Sequence, residues 1–164
     1  MLHHNSSSRS GLNKILQNYY FWPAKKCLLF FKTACDACKM LNSNNEPSSI
    51  VLDELNSFHS LSIGYNDWRK VVSSDIYRNT KTQKRCFKNN TSDLIRAVSQ
   101  SVSSETAFKV NHTKEDIWKI WSSKFPCLLP FVYSVLRNVS HNKLQRFYTK
   151  GTELPSFHKS VLGC

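Results

Sequence analysis

The sequence predicts a mainly helical protein, and three observations lead to that class. Only 4 Gly and 5 Pro occur in 164 residues, too few for the many tight turns of a β-sandwich. Apolar residues repeat with the period of a helix in several segments. Hydrophobic residues make up 40% of the chain and aromatic residues 12%, which is enough to form a core. The length corresponds to one ordinary domain or two small ones.

Two helices are predicted near the amino terminus. The first, over 11–20, is indicated by apolar residues at i, i+3, i+4 and i+7, namely Leu12, Ile15, Leu16 and Tyr19. Trp22-Pro23 ends that helix, because proline disfavours helical geometry in the residue before it. Pro23 then occupies the first turn of a second helix, which continues to about Met40.

Composition divides the rest of the chain. A segment rich in Asn, Ser, Glu and Pro is predicted to be a linker between a helical amino-terminal unit and a mostly helical basic region. The amino-terminal unit comprises 1–41, and the linker comprises 42–49. The basic region comprises 50–150, and an irregular tail follows over 151–164. Within the basic region, 62–90 is irregular, and Ile50 to Leu61 fits either a helix or a short opening strand.

Three later helices follow from capping signals and apolar periodicity. Thr91 or Ser92 is a candidate cap for a helix that carries Leu94, Ile95 and Val98. Thr113 followed by Asp116 has the spacing of a capping box, and Pro126 ends the helix that this box begins. A strongly apolar helix is then predicted from Leu128 to Val139, with Pro130 in its first turn.

The charge favours a polyanionic partner. The chain carries +12 at pH 7, and its pI is near 9.6. Cations concentrate in one stretch that contains seven bases and one acid, Asp75; the bases are Arg69, Lys70, Arg78, Lys81, Lys84, Arg85 and Lys88. Tyr77 and Phe87 could stack on exposed bases there, so this stretch is the candidate nucleic-acid site. The alternative is a solvated loop.

The cysteines supply a candidate metal site. Cys35-x-x-Cys38 can present two thiolates to one zinc ion, and His3 or His4 is the natural donor of the missing ligands. Cys27 lies about two helical turns before Cys35 and is predicted to be a core thiol. The alternative for the pair is simple packing of both cysteines. A thioredoxin-type redox site is disfavoured because no strand precedes the pair.

Residues 3–40 resemble the amino-terminal zinc-binding domain of retrotransposon and retroviral integrases. The likeness depends on His3 and His4, the aromatic turn ending in Trp22-Pro23, and Cys35-x-x-Cys38. Arg9 stands where gypsy-like members place the second histidine, so the pattern is degenerate. The resemblance implies a zinc module that helps integrase multimers assemble and contact DNA ends.

The integrase resemblance does not extend to a catalytic core. Three acids have a tempting spacing, Asp53, Asp116 and Glu153, but Asp116 belongs to a helix start and none follows a clear strand. The chain is therefore predicted not to be an enzyme. The resulting hypothesis is a non-catalytic nucleic-acid-associated protein, or a remnant of a mobile-element integrase.

A second hypothesis assigns the carboxy-terminal half to protein interaction. Trp118, Trp121, Leu128 and Leu129 could form an oligomerisation face, and the stretch faintly resembles the dimerisation segment of hAT-type transposases. The alternative is that both tryptophans pack in a core. A translated fragment without a selected role is a third hypothesis.

The compartment is predicted to be intracellular, with the nucleus as one candidate. No apolar signal core begins the chain, and no apolar run is long enough to span a bilayer.

Overall fold

The protein is mainly helical, which confirms the predicted class. A computed structural model describes residues 18–43, 48–57, 67–72, 87–103 and 112–148. Those ranges contain helices, turns and connecting segments and no β-strand. None of the helices described is long and apolar enough to cross a membrane.

The helices found in these ranges are numbered in chain order. They are α1 (Ala24–Ser43), α2 (Ser48–Ser57), α3 (Trp68–Val71), α4 (Thr91–Ser103), α5 (Lys114–Lys124), α6 (Leu128–Val135) and α7 (Asn142–Gln145). Two 3₁₀ turns accompany them, at Tyr19–Phe21 and Leu136–Asn138.

Helix α1 begins where the sequence predicts it. Trp22 is extended, and the Pro23 carbonyl accepts the first helical hydrogen bonds, from Lys26 at 2.8 Å and Cys27 at 3.1 Å. The helix runs to Ser43, about one turn beyond the predicted end. The helix predicted over 11–20 falls mostly on residues that the structure does not describe, and its described end is the 3₁₀ turn Tyr19–Phe21.

One hydrophobic core contains residues from both sides of the predicted linker. Helix α1 packs most extensively on α4, then on α5 and α2. Its core face carries Leu28, Phe30 and Phe31, which are at most 1% exposed. Cys27 is buried with them, as predicted. The domain boundaries stay predictions, although the core includes residues from both sides of 42–49.

The ambiguous segment from Ile50 is helical. Helix α2 buries Leu55 completely and leaves Asp53 and Glu54 exposed, which is the pattern of an amphipathic helix. Its contacts with α1, α4 and α6 decide the conformation that the sequence left open.

The predicted capping box of α5 is present. The Thr113 hydroxyl accepts from the Asp116 N–H at 3.2 Å, and the Asp116 carboxylate accepts from the Thr113 N–H at 2.9 Å. The helix ends at Lys124, immediately before Phe125-Pro126. Helix α6 ends at Val135 and continues as a 3₁₀ turn, so the prediction of a regular helix to Val139 was too long.

The cap of α4 differs from the prediction. Asn90, not Thr91 or Ser92, precedes the helix, and its Oδ1 accepts from the Asp93 N–H at 2.8 Å. The Thr91 side chain is instead buried at the first helical position. An asparagine is an equally good cap, so the local sequence did not distinguish the three candidates.

The two ends of the described chain meet in an aromatic cluster. The Trp22 ring lies 5.6 Å from that of Tyr133 and 5.5 Å from that of Phe147, centroid to centroid. The Arg146 guanidinium also reaches the Thr33 hydroxyl of α1, at 3.5 Å. The segment after α6 therefore closes against the amino-terminal end of α1.

Candidate nucleic-acid interface

The predicted basic stretch is described only at its two ends. Arg69 and Lys70 lie in α3, and Lys88 lies just before α4. The other four predicted contact residues are outside the described residues: Arg78, Lys81, Lys84 and Arg85.

Hydrogen bonds at the start of α3 fix the position of this helix. The Asp67 carboxylate caps it by accepting from the Arg69 N–H at 3.1 Å. The Trp68 side chain is fully buried, and its indole N–H donates to the Lys88 carbonyl at 3.3 Å. The Trp68 backbone N–H donates to the Asn89 side chain at 3.3 Å. These bonds join the two ends of the basic stretch across 20 residues of sequence.

The start of α4 fixes the second end. Phe87 is 2% exposed and packs against Trp68 with ring centroids 5.8 Å apart. The Lys88 N–H donates to the Asp93 carboxylate, and that carboxylate also binds Arg96 at 3.1 Å. The Arg96 guanidinium lies 4.8 Å from the Phe87 ring centroid, a cation–π distance.

Helix α2 joins the same site. The Asn56 Oδ1 accepts from the Ser92 N–H at 3.2 Å and from the Ser92 hydroxyl at 3.0 Å. Three helices, α2, α3 and α4, therefore meet at the two described ends of the basic stretch. The polar bonds there join segments that are distant in sequence, and they fix the backbone that carries Lys70 and Lys88.

Charge at the site is divided between paired and exposed cations. Arg69 makes a bidentate ion pair with Asp67, at 2.8 Å for both Nε–Oδ1 and Nη2–Oδ2. This hydrogen bonding holds the pKa of the Asp67 carboxyl below its usual value. Lys70 and Lys88 are exposed. The arginines therefore mainly build the site, and the two lysines can reach a phosphate.

The cysteine pair lies inside the core. Cys35 and Cys38 are 5% and 8% exposed on α1. Burial raises the pKa of Cys38 to about 12. Burial also raises the pKa of Cys35, although the charge of Lys39 and a hydrogen bond with Ser99 lower it by smaller amounts. No group of three or more metal-ligating side chains occurs among the residues described. His3 and His4 lie outside them, so zinc binding stays a prediction.

A family assignment follows from comparison with known proteins. The family model of Ribonuclease 2-5A matches residues 27–149, about three quarters of the chain. The chain belongs to the Ribonuclease 2-5A family. The match includes α1 from Cys27 onward, both ends of the basic stretch and the carboxy-terminal helices.

A curated relative agrees with this assignment. Serine/threonine-protein kinase/endoribonuclease IRE1 of Hypocrea jecorina (strain QM6a) is 27% identical over 154 residues. The aligned region is 90% of this chain and 12% of that protein, so the chain spans a small part of the relative's length.

The ribonuclease family overturns three predictions. The integrase resemblance is wrong, and with it the mobile-element origin, because one ribonuclease match spans most of the chain and begins at Cys27, inside the supposed zinc module. The prediction that the chain is not an enzyme is also wrong for the same reason. The integrase resemblance arose in part because positions three apart on a helix share a face: Cys35 and Cys38 have the spacing of a metal motif, and on α1 both side chains pack inward.

The predicted interaction face is largely buried in this ribonuclease-family fold. Trp121, Leu128 and Leu129 are 1%, 2% and 6% exposed. Trp118 is half-buried, with its ring 5.8 Å from that of Phe31. These residues therefore pack in the core, which was the alternative to an interaction face. Self-association stays a prediction.

Several side chains that build the family's candidate interface were missed at the sequence level. They are Asp67, Trp68, Asn89, Asp93 and Arg96. Phe87 was predicted to stack on bases, but the structure buries its ring against Trp68 and Arg96, so that prediction is wrong. Asn90-x-x-Asp93 was the one local signal, since an asparagine three residues before an acid is a helix-start pattern. The hydrogen bonds from Trp68 to Lys88 and to Asn89 span 20 and 21 residues, and no periodicity in the sequence indicates them.

Proposed function

We propose that this chain is a ribonuclease domain that binds and cleaves RNA. The observation that carries the proposal is the family match over residues 27–149. The Hypocrea jecorina relative is a kinase/endoribonuclease, which supports cleavage within a strand. The chain's charge of +12 supports a nucleic-acid substrate, because phosphate contacts supply most of the affinity of such proteins.

The site around α3 and α4 supports RNA contact at the basic stretch. Asp67 and Asp93 neutralise Arg69 and Arg96 and fix their positions. Lys88 is exposed beside them, and its backbone is held by the Asp93 carboxylate. A cation on a fixed backbone loses less conformational entropy on binding a phosphate than one on a mobile segment. We therefore assign Lys70 and Lys88 to phosphate contact.

Cleavage is tested with purified protein and a labelled RNA that contains both a stem-loop and single-stranded flanks. We expect discrete RNA fragments and no cleavage of a DNA of the same sequence, because the 2′-hydroxyl distinguishes the two polymers. Intact RNA across a panel of loop sequences would contradict the proposal.

A matched pair of variants tests the location of the site. Lys88→Gln should weaken RNA binding and lower the salt dependence of the affinity. Lys124→Gln makes the same change of charge at the exposed end of α5 and should have a smaller effect. Equal effects of the two substitutions would mean that the contact is not at the start of α4.

Protein concentration tests the self-association prediction in the same assay. If two copies must meet, the cleavage rate per molecule rises with protein concentration, and light scattering shows a larger mass in the active range. A constant rate per molecule, with a monomer mass throughout, would contradict self-association.

A further inference from the structure

The amino-terminal half of α1 presents a surface that the proposed site does not use. Its outward positions Lys25, Leu29 and Lys32 are exposed and lie four and three residues apart, so they form one stripe. Tyr20 and Phe21 precede the helix and are 71% and 59% exposed. Two exposed aromatic rings therefore precede the charged stripe in the chain.

Two further cations join this surface. Lys26 Nζ lies 4.4 Å from the Trp22 ring centroid. Arg146 comes from the far end of the described chain, lies 5.0 Å from the Phe147 ring centroid and donates to Thr33 on α1. The Trp22 and Phe147 rings are in contact with each other, so Lys26 and Arg146 lie against the same aromatic cluster. The fold thus brings cations from two distant segments together.

The surface carries no compensating acid on its own segment. From 18 to 35 the sequence contains three lysines and neither Asp nor Glu. The next acid along α1 is Asp36, which pairs with Lys39 at 3.0 Å. A polyanion is the partner that such a charge distribution favours.

We propose that this surface, made of Tyr20, Phe21, Lys25, Lys26, Lys32 and Arg146, binds single-stranded RNA outside the α3–α4 site. Bases stack on the exposed rings of Tyr20 and Phe21, and the lysines and Arg146 contact the phosphates. The combination of exposed rings with cations, and without local acids, fits single-stranded nucleic acid better than a charged protein helix, which offers no stacking faces. The inference rests on the proposed function and adds a second contact surface to it.

The test measures the affinity for a fluorescent single-stranded oligoribonucleotide by anisotropy at several salt concentrations. The double variant Tyr20→Ser, Phe21→Ser removes the stacking rings, and we expect a loss of about tenfold or more in affinity. Both residues are exposed, so circular dichroism should show an unchanged helix content. An unchanged affinity would overturn the inference.

A charge-matched pair of variants isolates the cations. Lys25→Gln, Lys32→Gln should reduce the slope of log affinity against log salt by about 1.4, which is two single-strand phosphate contacts. Lys114→Gln, Lys119→Gln removes the same charge from exposed positions of α5 and should leave the slope nearly unchanged. Equal slopes for the two double variants would overturn the inference.

Cleavage separates this inference from the proposed function. If RNA is cleaved but all four substitutions on the surface leave affinity and slope unchanged, only the second surface is refuted. If the wild-type chain neither binds nor cleaves RNA, both proposals fail. A change of molecular mass caused by Tyr20→Ser, Phe21→Ser without loss of RNA affinity would assign the surface to a protein contact and overturn the inference.

Discussion

Replacing Ser101 with alanine should destabilise the protein by about 1–3 kcal/mol, because it leaves a buried indole N–H without an acceptor. Trp121 Nε1 donates to the Ser101 hydroxyl at 3.0 Å, and both residues are 1% exposed. The hydroxyl in turn donates to the Val98 carbonyl at 2.6 Å, so its orientation is fixed. A protein of this size should lose about 2–4 °C in Tm for each kcal/mol.

A double-mutant cycle attributes the loss to this bond. In a Trp121→Phe background no indole N–H remains, so Ser101→Ala should cost at least about 1 kcal/mol less than in the wild type. Urea unfolding followed by circular dichroism gives the free energies. Ser123→Ala is the control, because Ser123 is exposed on α5 and should change stability by less than about 0.5 kcal/mol. The same cost of Ser101→Ala in both backgrounds would refute the reasoning.

Three other predictions concern thiols, acid and a cap. At pH 8 a thiol reagent should label Cys27 and Cys38 far more slowly in the folded protein than in urea, because burial raises their pKa values to about 11 and about 12; equal rates would contradict this. Below about pH 4 the stability should fall, since the lowered pKa of Asp67 means that the folded state resists a proton that the unfolded state takes up, and Asp67→Asn should make the fall shallower in acid unfolding curves. Thr113→Ala should cost about 1 kcal/mol in urea unfolding and Thr113→Ser much less, because only serine keeps the capping oxygen; equal losses would argue against the capping box.

Local signals in the sequence were sufficient for much of the fold. Pro23 predicts the start of α1, and Thr113 with Asp116 predicts the start of α5, because each acts on neighbouring backbone. The sequence from Ile50 onward did not distinguish a helix from a strand, because the conformation of that segment depends on its packing against α1 and α4.

The candidate site was less predictable for a physical reason. Its decisive bonds join Trp68 to Lys88 and Asn56 to Ser92, pairs separated by 20 and 36 residues. Spacing rules describe neighbours on one helix and carry no information about such pairs. Cys35 and Cys38 show a different difficulty: their spacing occurs both in metal sites and on buried helix faces, so spacing alone does not distinguish the two.

The contact between the carboxy-terminal segment and α1 can form only late in synthesis of the chain. Arg146 follows Thr33 by 113 residues, and ribosomes add about 5–20 residues per second. The aromatic end of α1 is therefore synthesised roughly 6–23 s before the segment that covers it. During that time Trp22 and Phe30 lack their contacts with Phe147 and Tyr133, so part of the apolar surface of α1 stays uncovered until the last segment is made.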